Sequence, residues 1–238
     1  MRISPYLIFL ALPFLAGDDV KRLSNPAIGN ALNITSDIKT RNYSGFTVVV
    51  DPGHGGEQSG ACHHGVVEKD VTLETAMFLK EYLEEAGVTV FMTRENDSFV
   101  SLEDRVKFSD NIKPDIFVSI HYNSVENPYK SSGQNGLETF YPLDSKYSKE
   151  LATDVHEVVV ENLNLTDRFT AEERFYVIRK SKSPSILIEG GYLTNPQDRQ
   201  LLTENKRKYA KAIRDGILDY FDERLEERLT NTRNKQVF

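Results

Sequence analysis

The stretch Thr47 to Gly56 (TVVVDPGHGG) constrains this chain more than any other. Three consecutive valines suit a strand buried on both faces, as in a parallel sheet. Asp51-Pro52-Gly53 ends that strand, because proline has no N–H for the ladder and glycine permits a turn. His54 is therefore delivered just past the strand's carboxyl end, on a glycine-rich loop. In open α/β sheets, ligands bind along that edge. Taken alone, a histidine there reads first as loop filler, ahead of metal ligand or general base, so the case depends on what else arrives at that edge.

The pattern recurs downstream. Asp115 to Ile120 (DIFVSI) reads as a second buried strand with His121 directly after it, and Ser185 to Ile188 (SILI) as a third that delivers Glu189. Between them Val71 to Ala86 carries a helical apolar stripe closed by Gly87, and Val88 to Met92 reads as a strand. Ser101 caps a helix that Lys113-Pro114 breaks. Gly136 to Tyr141 (GLETFY) and Phe175 to Ile178 (FYVI) read as strands flanking a helix over 145–163. Asn195-Pro196 starts another helix, and Glu204 to Leu229 is the last, followed by a frayed tail. Strands and helices alternate, so the fold class is α/β, an α/β layer with a mostly parallel sheet.

Composition narrows the function classes. Charged residues make up 27% and hydrophobic ones 39%, which suits a globular protein. The net charge of −7, with no long basic run, argues against nucleic acid as a partner. A single cysteine, Cys62, excludes an internal disulfide. Arg2 followed by the apolar run Tyr6 to Ala16 matches a secretory signal and is short for a membrane span. The expected layout is an export segment at 1–17, a linker at 18–45, the folded domain at 46–222 and a helical extension with its tail at 223–238. The expected location is exported, with tethering by an uncleaved leader as the variant case.

Parallel strands place His54, His121 and Glu189 along one edge, and Glu68 is near enough in sequence to join them. Two histidines and one carboxylate with an open fourth position form a catalytic zinc site, and a second carboxylate then serves as general base. The competing readings are that Glu68 caps the following helix and that Glu189 pairs with Arg179 or Lys182. Cys62, His63 and His64 read as a surface loop near the cleft, and His156 as a solvated side chain.

The motifs VVVDPGHGG, GVVEKDVTLE, VSIHYNS and SILIEGGYLTNP, in that order, resemble the zinc-dependent N-acetylmuramoyl-L-alanine amidases of the amidase-3 family. The resemblance spans about Phe46 to Phe221, and it implies a twisted, mostly parallel (mixed) sheet flanked by helices in a single catalytic domain, acting in the periplasm or cell wall. It implies that His54, Glu68 and His121 bind one Zn2+ ion, that Glu189 is the catalytic carboxylate, and that peptidoglycan is the substrate. Asp51, Asp70 and Asn123 are candidates for supporting the ligands or touching substrate. Tyr192 stands where the family usually has phenylalanine. The expected protein is a monomer, with an envelope activator left open and little room for an inhibitory helix between His121 and Glu189. Two rival readings are a zinc peptidase acting on stem peptides and a non-catalytic wall-binding or activator module.

Overall fold

The computed structural model describes residues 43–125 and 133–236. The export segment read at 1–17, and the read linker up to residue 42, lie outside the described residues. Among the described residues, no helix is long and apolar enough to cross a membrane.

Strand β1 (Thr47–Pro52) is followed by a small antiparallel hairpin, β2 (Cys62–His63) and β3 (Val66–Val67), which leads into helix α1 (Glu68–Glu85). Then come β4 (Thr89–Met92), α2 (Leu102–Ile112), β5 (Ile116–Asn123), β6 (Leu137–Tyr141), α3 (Lys146–Leu163) and β7 (Asp167–Glu172). The short helix α4 (Tyr176–Lys180), β8 (Ser185–Tyr192), α5 (Pro196–Glu204) and α6 (Lys206–Gln236) complete the order. Six strands form one sheet in the order β4-β1-β5-β8-β6-β7. All neighbours run parallel except β6 and β8, so the sheet is mixed.

The period-2 alternation of the strands sorts their side chains into two cores. Val48, Val50, Ile116, Val118, Ile120, Ile186 and Ile188 face one side, where they pack with Ala76, Leu79 and Leu83 of α1, Leu151 and Val155 of α3, and Ile213 and Ile217 of α6. Val49, Phe117 and Leu187 face the other side, against Val106 of α2 and Val177 and Ile178 of α4. The strands β1, β5 and β8 are thus buried on both faces, which fixes their register and their shared edge.

The local punctuation acts as expected. Ser101 Oγ accepts the Asp104 N–H at the start of α2. Asn195 Oδ1 accepts the N–H groups of Gln197 and Asp198 at the start of α5. Three readings are corrected. Phe175 to Ile178 is no strand: Tyr176–Lys180 forms a helical turn that buries Val177 and Ile178, a choice that periodicity cannot make for so short a run. The sixth strand is instead β7, a half-exposed edge strand whose polar residues gave no apolar signal. The last helix continues to Gln236, since no proline or glycine interrupts TNTRNKQ. Tyr43, in the last residues of the segment read as linker, packs in the core beside Phe46 and Phe221.

Candidate metal centre

Strands β5 and β8 run three and four residues further than the sequence suggested, to Asn123 and Tyr192, so His121 and Glu189 are direct register partners across the ladder. On the other side of β5, Pro52 pairs with Ile120, and the chain then leaves the sheet toward His54. His54 takes a left-handed backbone conformation, φ 60°, which is uncommon for a side-chain-bearing residue and marks a position held by its surroundings. Glu68 enters from the first turn of α1 and is buried there.

Glu68 Oε1 lies 3.0 Å from His54 Nε2 and 3.1 Å from His121 Nδ1. The Tyr122 N–H donates to the same oxygen at 3.1 Å, while Oε2 accepts the Ala61 N–H at 2.8 Å. Glu68 is thus aimed at the histidines, and its helix-capping reading does not describe its contacts. Burial works to raise its carboxyl pKa, but the hydrogen bonds of His121 and His54 outweigh it and hold the pKa well below the ordinary value. Donor atoms of His54, Glu68 and His121 all lie within 4.8 Å of one another, the one such group found among the described residues.

Two glycines leave room for this cluster. A Cβ on Gly53 would overlap the His121 imidazole. A Cβ on Gly60 would overlap Glu68 Oε2 and lie 2.7 Å from His54 Cδ2. Two imidazole nitrogens and one carboxylate oxygen, brought together and buried on one side, suit a divalent cation of zinc's type, which would take the place of the protons shared by these groups. The residues fit the ion.

Glu189 faces this cluster from β8. Its Oε2 is buried and has no hydrogen-bond partner among the described residues. Burial, followed by the charges of Glu68 and Glu138, pushes its carboxyl well above the ordinary range. Neither cation proposed as its partner reaches it: Lys182 pairs with Asp110 at 3.0 Å, and Arg179 lies over the Tyr176 ring. His54, Glu68, His121, Asn123 and Glu189 line one cleft of about 410 Å³, rimmed by Leu102 and Phe175.

The supporting residues divide. Asp51 is completely buried and accepts from Arg105 Nη1 at 2.7 Å, Thr93 Oγ1 at 2.6 Å and Ser119 Oγ at 2.7 Å. Arg105 also donates to the carbonyls of Pro52 at 2.7 Å and His54 at 2.6 Å, so Asp51 reaches the His54 loop through this guanidinium. Asp70 is exposed on the first turn of α1, where Arg94 feels its charge. Asn123 lines the cleft and donates its amide to Glu138. Cys62 is exposed and His63 and His64 sit on the β2–β3 hairpin, outside the His–Glu–His group.

His156 corrects the sequence reading. It is buried, with Nδ1 3.0 Å from Thr139 Oγ1 and Nε2 3.0 Å from Asp167 Oδ1, because α3 packs it against β6 and β7. Arg94, Arg105 and Glu138 were missed altogether. Only Glu138 left a trace in the sequence, as a charge within the otherwise apolar strand GLETFY.

A family model described as N-acetylmuramoyl-L-alanine amidase matches residues 48–219. The chain is 34% identical over 225 residues to N-acetylmuramoyl-L-alanine amidase LytC of Bacillus subtilis (strain 168), covering 92% of this chain and 41% of that protein. It is 40% identical over 182 residues to the probable cell wall amidase LytH of Staphylococcus saprophyticus, covering 74% of this chain and 59% of LytH. The chain therefore spans less than two thirds of either relative's length. Among solved structures, N-acetylmuramoyl-L-alanine amidase AmiC2 of Nostoc punctiforme superposes with a TM-score of 0.70 at 41% identity, over 76% of this chain and 99% of that one.

Proposed function

This chain belongs to the amidase-3 family of N-acetylmuramoyl-L-alanine amidases, and we propose that it hydrolyses the amide between N-acetylmuramic acid and L-alanine in peptidoglycan. We assign His54, Glu68 and His121 as the residues that hold one Zn2+ ion, and Glu189 as the catalytic carboxylate. The ion's contribution, when bound, is Lewis acidity, which acidifies a water and polarises the lactyl carbonyl. Glu189 takes the proton as the water oxygen attacks the carbonyl carbon. As the C–N bond breaks, Glu189 returns that proton to the departing alanine nitrogen. Its raised affinity for a proton suits a group that must hold one between these two steps. Asp51, acting through Arg105, keeps the His54 loop in its left-handed turn.

The observation that carries this reading is the buried, unpartnered Oε2 of Glu189, directly across the ladder from His121. A carboxylate kept without a partner costs stability. Proton transfer gives that cost a use, which a wall-binding module would not need. The proposed place of action is the cell wall.

The test is digestion of purified sacculi by wild type and Glu189→Gln, with mass spectrometry of the soluble products. Wild type should release intact stem peptides beginning at L-alanine. Glu189→Gln should keep its zinc and lose cleavage by about 10²–10⁴-fold, the usual contribution of a positioned base. Cuts inside the stem peptide would support the peptidase reading instead. Undiminished turnover by Glu189→Gln would refute the assigned mechanism.

A further inference from the structure

Strand β6 places Glu138 directly opposite Glu189 on the antiparallel β8, so the two carboxylates share a face of the sheet. Glu138 is buried, yet it is fully engaged. Oε1 accepts from Arg168 Nε at 2.5 Å and from the Tyr192 hydroxyl at 2.7 Å, and Oε2 accepts from Asn123 Nδ2 at 2.9 Å. The Arg168 guanidinium also lies over the Tyr192 ring, 5.2 Å from its centroid. Three side chains, from β5, β7 and β8, are thus tied at the one β6 carboxylate beside the cleft.

The two ends of the Asn123 amide are fixed by opposite chemistry. Its oxygen accepts the Ser124 N–H at 2.8 Å, and its nitrogen faces a group that can only accept. A carboxylate at 138 therefore forbids the flipped amide. The nitrogen carries two hydrogens, Glu138 takes one, and Asn123 lines the cleft two residues after His121. Resting on the amidase reading above, we propose that Glu138 is a positioning residue. It holds Asn123 so that the second amide hydrogen meets the substrate carbonyl oxygen as that oxygen gains negative charge. Arg168 and the Tyr192 hydroxyl, the latter contributed by this chain's departure from phenylalanine, hold Glu138 in turn.

Glu138→Gln keeps the shape but offers a donor as well as an acceptor, so it removes the orientation of Asn123 without opening a cavity. In zinc-loaded protein the exchange of the Asn123 side-chain amide hydrogens, read by NMR, should accelerate by about tenfold or more, the equivalent of one charge-assisted hydrogen bond. With a soluble muramoyl-peptide, kcat should fall about 10–100-fold with KM little changed, since the contact strengthens only as the oxygen charges. Zinc content should match wild type. Asn123→Ala should show a similar loss, and the double variant should be no slower than Asn123→Ala by more than about threefold, because one residue acts through the other. Multiplying losses, loss of zinc, or unchanged Asn123 exchange would each overturn the proposal. Should Glu138→Gln fail to fold, Tyr192→Phe and Arg168→Gln each remove one donor from Glu138. Unchanged exchange in both refutes the positioning role. If wild type does not cut the muramoyl–alanine bond, the functional reading fails, while the exchange measurement still decides the role of Glu138.

Discussion

Replacing Arg105 with methionine tests how the metal loop is held. The guanidinium is buried and donates to Asp51, to the carbonyls of Pro52 and His54, and through Nε to the carbonyl of Val100 at 3.0 Å. Methionine fills much of the volume and removes every donor. Some compensation remains, since Thr93 and Ser119 still serve Asp51 and Arg94 still serves Pro52 at 3.1 Å. Breaking a buried ion pair from one side typically costs about 3–5 kcal/mol, which for a domain of this size lowers Tm by roughly 10 °C. The pH dependence is the sharper part. In wild type, burial works to raise the Asp51 carboxyl, but Arg105 and the hydroxyl hydrogen bonds outweigh it and hold it below 3.8. Ionised Asp51 therefore contributes stability that is present above 3.8 and lost as pH falls through its lower folded value. Without the cation, burial wins and the folded pKa moves above 3.8, so the variant loses stability as pH rises. The gap between the two proteins should therefore widen as pH rises, first through the wild type's folded value below 3.8 and then, above 3.8, as the variant's buried carboxyl is forced to ionise, from roughly 1–2 kcal/mol of lost hydrogen bonds to the full cost. Urea unfolding at several pH values, with chelator present so that metal binding does not contribute, measures it. A gap that stays flat with pH would refute the assignment of Arg105 as the counter-charge of Asp51.

Three further outcomes are expected. His54→Ala, Glu68→Ala and His121→Ala should each lose zinc in metal analysis of the purified protein, while a Cys62→Ala/His63→Ala/His64→Ala triple variant keeps it. Gly60→Ala should weaken zinc affinity by at least about tenfold in competition with a chelator, because its Cβ would meet Glu68 and His54 at a backbone φ of 65°. Asp154→Asn should stabilise the fold at pH 8 by about 1–2 kcal/mol, after discounting for partial exposure, and by almost nothing near pH 4. Burial and then Glu223, Asp219, Glu157 and Glu150 raise the Asp154 carboxyl to about 7, so the native state binds a proton that the unfolded chain releases, and stability falls as pH rises toward 7; a pH-independent difference in denaturant midpoint would contradict this.

The sheet edge was legible in the sequence because each of its strands is a buried run that stops at a chemically marked residue. Valines before Asp51-Pro52-Gly53, DIFVSI before His121 and SILI before Glu189 make local signals that need no knowledge of the partners. The caps at Ser101 and Asn195 were legible for the same reason, since a cap acts within four residues. The β7 strand was not, because an edge strand with one neighbour keeps exposed polar residues and so lacks the apolar run that marks the central strands. His156 was misread because its neighbour Glu157 looks like part of a solvated face, and only the packing of α3 on β6 and β7 brings Thr139 and Asp167 to its ring.

What lies behind the edge follows a different rule. Asp51 meets Arg105 across 54 residues, and Glu138 meets Arg168 across 30. Neither pairing has a period or a spacing, because a buried charge selects its partner through the fold rather than along the chain. Yet both carboxylates stand on strands that the burial pattern marks as inaccessible to water, and an unpaired carboxylate there would be strongly destabilising. A charge in such a strand therefore demands a distant cation or a reaction. Asp51 and Glu138 have cations, Glu68 has the two histidines, and Glu189 Oε2 has no partner among the described residues. Of these four acids, Glu189 is the one with an oxygen that the fold itself leaves uncompensated, and it is the one whose proposed chemistry requires an oxygen left ready for a proton.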